Sequence, residues 1–266
     1  MTDNPFDGLT IEEIHLPRAP LVHVVAQVVF PLQLELRTEA GLARFATALK
    51  DTYPVLHPEQ PLGLALGTDN QVSQPVLNDV IWRLQDREKK WRVSVSPTFV
   101  ALDTSSYISR TDFLERLKFV LDSLSSVVDP ILVERIGIRY IDRIDDPALF
   151  GRISELVRPE LLGGLSVPTT DEVQLEQTIS QSVFSLNDHK LLVRWAMLPP
   201  NVTPDPLVGQ VDRQSWVLDV DSVSQVQSRF ETEQIISRIS EFAAEIYKFF
   251  RWAVTSELLS HAAKEE

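Results

Sequence analysis

Cysteine is absent from the 266 residues, which removes disulfides, thiolate nucleophiles and cysteine metal sites together. The five histidines, His15, His23, His57, His189 and His261, stand apart, with no HxH or HExxH spacing, so neither a metal site nor a triad is marked by sequence. Neither GxGxxG nor the P-loop pattern occurs, which argues against conventional dinucleotide or nucleotide-phosphate binding and leaves no cofactor signature. Apolar runs of ~18 residues are also missing, so no segment reads as a membrane span. Positive charge is in deficit: 25 basic against 38 acidic side chains give a formal charge of -13, which repels polyanions and disfavours nucleic acid as a partner. The amino end, MTDNPFDGLTIEE, has no basic region leading into an apolar one as a secretory signal has. A soluble cytoplasmic protein is the expectation.

What is present suits a folded chain: 44% hydrophobic and 24% charged residues support one large core or two ordinary ones. After an irregular lead-in over 1–19, Leu21 to Phe30 reads as a strand bounded by Pro20 and Pro31. Leu42, Phe45, Ala46 and Leu49 repeat at helical spacing, stopping near Tyr53-Pro54. Short strands are expected at Gly63 to Leu66, Asp79 to Leu84, Trp91 to Ser96 and Phe99 to Leu102, and an amphipathic helix at Thr111 to Val128, ended by Asp129-Pro130. The second half reads as a strand from Leu132 to Ile144, a helical patch from Leu149 to Leu162, strands at Val173 to Phe184, Lys190 to Met197 and Ser215 to Val220, and a long helix from Thr232 to Val254. His57 and His189 are read as loop residues, and His23 as a strand residue satisfying a core hydrogen bond. The fold class is therefore α+β, antiparallel sheets with packed helices. Its organisation is two helix-grip or saddle-like halves, 20–130 and 131–266, sharing or abutting their sheets. The wide apolar stripe of the last helix packs inside the chain or, alternatively, against a partner, which makes a homo-oligomer one reading.

The most distinctive segment is LVERIGIRYIDRI, 132–144. In a strand, Arg135, Gly137, Arg139, Ile141 and Arg143 share one face, so three guanidiniums form a basic stripe. Such a stripe grips carboxylate or phosphate groups, or it pairs with acids on adjacent strands. Arg194 joins it if its strand lies beside Arg139. Asp219 and Asp221 share a face across Val220; they bind a divalent ion or divide acid and base roles, or they pair with arginine. Trp82, Trp91, Trp195 and Trp216 fall in strands, where packing is commoner than base stacking.

The motif VERIGIRYIDRI resembles the signature of an uncharacterised, sporadically distributed bacterial protein family. PLVHVVAQVVF, the stretch from Phe45 through Tyr53-Pro54, LDVDSV and the terminal aromatic helix are similar to the same family, so the resemblance runs from about residue 18 to 260. It implies a bacterial intracellular protein, the family's patchy occurrence is compatible with an accessory or mobile-element role, and it implies no activity, cofactor or catalytic set.

Two functions are expected from different classes. The first is a noncatalytic binding or regulatory module, recognising a protein partner or anionic ligand through Arg135, Arg139, Arg143 and Arg194. The second is a small-molecule hydrolase or phosphate-processing enzyme in which Asp219 or Asp221 activates water beside the arginines.

Overall fold

Side chains alternate across a strand, so each strand in this chain has one face for helices and one without them. The computed structural model describes residues 4–7, 11–14, 16–59, 80–203, 205–206 and 208–264. Within them the strands are β1 (Leu21–Val29), β2 (Val55–Glu59), β3 (Ile81–Gln85), β4 (Trp91–Ser96), β5 (Phe99–Thr104), β6 (Leu132–Val133), β7 (Arg135–Ile144), β8 (Thr178–Leu186), β9 (His189–Leu198), β10 (Ser215–Ser224) and β11 (Ser228–Arg229). The helices are α1 (Glu39–Leu49), α2 (Arg110–Val128), α3 (Pro147–Phe150), α4 (Ile153–Leu156), α5 (Thr232–Ala253) and α6 (Ser256–Ala262). Nine strands form one antiparallel sheet in the order β2-β3-β4-β5-β1-β7-β10-β9-β8, and β6 pairs with β11 as a separate ribbon. The class is α+β.

The core lies on the helix side of this sheet. Val24, Ala26 and Val28 of β1 and Ile136 and Ile138 of β7 meet Phe113, Leu117 and Leu121 of α2 and Ile239, Phe242 and Ile246 of α5 in one buried cluster. Burying these stripes is what fixes the helices in place, since each apolar side chain removed from water contributes about 1.5–3 kcal/mol. Local chemistry sets the ends. Ser109 caps α2 by accepting a hydrogen bond from the Asp112 amide, and the helix stops at Asp129, which takes a left-handed conformation (φ 42°) before Pro130. No helix among the described residues is long and apolar enough to cross a membrane.

Several expectations need correction. β2 was not anticipated because it contains Pro58; at a sheet edge the missing N–H costs no ladder bond. His57 and His189 therefore sit in strands, not loops. The strand expected from Val173 begins at Thr178, and the one expected to end at Val220 runs to Ser224. The run 132–144 breaks at Glu134, whose amide bonds to the Val29 carbonyl while Leu132–Val133 leaves to pair with β11. The patch 149–162 divides into α3, α4 and 3-10 turns. The expected strand at 63–66, Asp79 and His15 lie outside the described residues.

Registers reveal a relation between the halves. β1 and β7 pair at the middle of the sheet, with Val24 opposite Tyr140. From there β1 leads to β5, β4 and β3, and β7 leads to β10, β9 and β8. Asp103 lies between Val25 and Arg92 as Asp219 lies between Ile141 and Arg194. One strand further out, Gln85 faces Arg92 as Gln181 faces Arg194. A two-fold operation at the Val24/Tyr140 pair thus exchanges β1 with β7, β5 with β10, β4 with β9 and β3 with β8.

Candidate functional site

The helix-free face carries the charges. On β7, Arg135, Arg139 and Arg143 point there, and cross-strand pairing sets Asp221 opposite Arg139 and Arg194 opposite Asp219. Arg139 grips Asp219 with both edges of a fork: Nε donates to Oδ1 at 2.7 Å and Nη2 to Oδ2 at 2.9 Å. Its third nitrogen, Nη1, donates to Asp205 Oδ2 at 2.6 Å. Arg194 Nη2 lies 2.8 Å from Asp219 Oδ2. Burial works against the Arg139 cation, yet Asp219 and Asp205 override it and hold the guanidinium charged well beyond its ordinary range.

The two-fold relation places a counterpart in the first half. Arg92 donates Nε to Asp103 Oδ2 and Nη2 to Oδ1, both at 2.9 Å, and His23 Nε2 lies 3.3 Å from Asp103 Oδ1 without hydrogen-bond geometry. His23 thus occupies the place that Arg139 takes in the second half. Burial pushes the Asp103 carboxyl up, but His23 and Arg92 outweigh it and hold the group below its usual value. The sequence reading missed this constellation and Asp205. Only the matching Leu102-Asp103 and Leu218-Asp219 pairs carried a faint trace of it.

The halves differ in what covers these groups. A tight turn at Pro97-Thr98 joins β4 to β5, whereas residues 199–214 join β9 to β10. Val202 and Val208 of that connection pack on Ile141, Ala196, Leu198 and Val217 of the helix-free face. Arg143 tethers it, donating Nη1 to the Gly209 carbonyl at 2.5 Å and Nη2 to Thr203 Oγ1 at 3.4 Å. The single hydroxyl proton of Thr203 is in turn shared between the carbonyls of Asp205 and Val208.

The four arginines singled out by sequence are therefore not one reachable stripe. Arg139 and Arg143 are 3% and 6% exposed, enclosed because the connection 199–214 brings its own acceptors onto them. Arg135 and Arg194 are half-buried, outside that enclosure. Arg135 Nη1 donates to Gln27 Oε1 at 3.2 Å, and the side chain makes no ion pair among the described residues. Asp219 and Asp221 share a face, as their spacing predicts. Both Asp219 oxygens accept guanidinium N–H bonds, so neither is placed to take a proton from water. The Asp221 carboxyl is pushed up by burial, with Arg135 and Arg139 opposing and Asp219 assisting. No group of three His, Asp or Glu among the described residues is arranged to hold a metal ion. No family model and no curated protein matches the chain.

Proposed function

We propose that the protein is a noncatalytic binding or regulatory module that recognises a protein partner or an anionic ligand through the helix-free sheet face. Arg135 and Arg194 are the contacting guanidiniums, while Arg139 and Arg143 build the scaffold beneath the 199–214 connection. The observation that carries this reading is the uneven sharing of acids: Arg139 hydrogen-bonds two carboxylates, Arg194 pairs with one of them, and Arg135 hydrogen-bonds the Gln27 amide and feels Asp221 only through its charge. A guanidinium with N–H groups left over and no carboxylate hydrogen-bonded to it is suited to accept one from outside. On the strength of the VERIGIRYIDRI resemblance, we take the setting to be the bacterial cytoplasm.

The hydrolase alternative is weakened by Asp219, whose oxygens are both taken, and would rest on Asp221 alone as the base. Calorimetric titration with inorganic pyrophosphate and with a poly-glutamate peptide tests the binding reading. The expected result is saturable binding to at least one probe, weakened about tenfold by Arg135→Ala, or ~1.4 kcal/mol, with an unaltered thermal melt. Absence of binding to both probes, or an affinity unchanged from the unsubstituted protein in both Arg135→Ala and Arg194→Ala, would overturn it.

A further inference from the structure

The two-fold relation between the halves leaves one strand of the nine-stranded sheet without a counterpart. β3 and β8 are equivalent, yet β3 carries β2 on its outer edge while β8 ends the sheet. The segment that would correspond to β2, 167–177, forms no strand, and no backbone hydrogen bond from another described element reaches β8 from outside. The fold thus already contains an antiparallel strand docked on one of two equivalent edges.

The two ends of the sheet are also built differently. β2 is five residues long and carries Pro58 and Glu59, features that discourage further pairing. β8, TISQSVFSL, is nine residues long with no charge and no proline. Its helix-free side leaves Ile179 and Val183 63% and 47% exposed.

We propose that β8 is the interface for a second copy of this chain, the two β8 strands pairing antiparallel about a two-fold axis and continuing the sheet through both copies. Self-pairing sets a demand that foreign partners do not: every residue faces the same sequence reversed, so any charge near the axis meets its like. A nine-residue strand free of charge satisfies that demand in a chain whose net charge is -13. With Gln181 on the axis, Ile179 of each copy lies opposite Val183 of the other, which covers both large apolar side chains that β8 leaves exposed. Because the remainder of each copy is acidic, added salt tightens the association.

Sedimentation velocity on the full chain, from roughly 1 to 100 µM, is the test. A dimer is expected, strengthened by salt. Ile179→Lys combined with Val183→Lys sets like charges opposite each other twice and returns the protein to a monomer. Ile179→Lys combined with Val183→Glu sets opposite charges there and restores the dimer. Both pairs change exposed side chains, so circular dichroism melts stay near those of the unsubstituted protein. A monomer at the highest concentration, or a dimer indifferent to the double lysine substitution, overturns the proposal.

Discussion

Replacing Asp142 by alanine should stabilise the protein by an amount that grows with pH. Asp142 points from β7 into the helix side of the sheet, is 5% exposed, and sits opposite Leu21 and Leu218. Burial pushes its carboxyl up to about 8 from an ordinary 3.8, the nearby Asp219 charge adding to the effect, and no described donor offsets it. The two-fold relation equates this position with Ala26, which is fully buried against Leu102 as Asp142 is against Leu218. Below pH ~4 both folded and unfolded chains hold the proton, and the acid carries no electrostatic penalty. Between pH ~4 and ~8 the unfolded chain releases the proton while the folded chain retains it, so stability falls as pH rises. At 1.36 kcal/mol per unit, the part of the shift traversed by pH 7 is worth about 4 kcal/mol as an upper bound. Loss of the carboxyl's volume costs about 1 kcal/mol through the small cavity left behind. The variant should be slightly less stable than the parent near pH 4, and more stable by about 2–3 kcal/mol near pH 8. Urea unfolding of both proteins at four or five pH values gives the difference directly. A difference that stays flat from pH ~4 to ~8 would mean that Asp142 ionises normally, and the account of its burial would be wrong.

Two other substitutions probe the frame of the site. Arg139→Met removes the shared partner of the buried Asp205 and Asp219, and should cost about 3–5 kcal/mol in urea unfolding while making 199–214 more sensitive to limited proteolysis. A loss below ~1 kcal/mol would show that these pairs do not hold the connection down. Asp129→Gly relieves a left-handed backbone and removes a negative charge from the C-terminal end of α2, for an expected gain of about 0.5–1 kcal/mol in thermal unfolding; a loss would mean that the Asp129 side chain makes a contact worth more than its strain.

Much of the architecture was legible because it follows from one-dimensional periodicity. The apolar stripe Phe113, Leu117, Val120, Leu121 and Leu124 defined α2, and the alternation in RIGIRYIDRI defined which side chains of β7 share a face. β2 escaped notice because Pro58 reads as a strand breaker until the strand is known to lie at an edge. Asp205 was invisible in a proline-rich connection, since nothing local says which surface such a segment covers. The repeated order of elements suggested two similar halves, but their strand-by-strand two-fold correspondence was hidden: the equivalent strands share few residues beyond Leu102-Asp103 with Leu218-Asp219, and the connections between them differ in length.

The sequence by itself determined that Arg135, Arg139 and Arg143 project from one side of one strand, because side-chain direction in a strand depends only on parity. Their different fates were decided in three dimensions. Strand register brought Asp219 and Arg194 to Arg139, and a connection from another part of the chain closed over Arg139 and Arg143 while leaving Arg135 half-buried beside Gln27. Register and coverage are settled by packing the whole sheet against its helices, a long-range balance that no local pattern encodes.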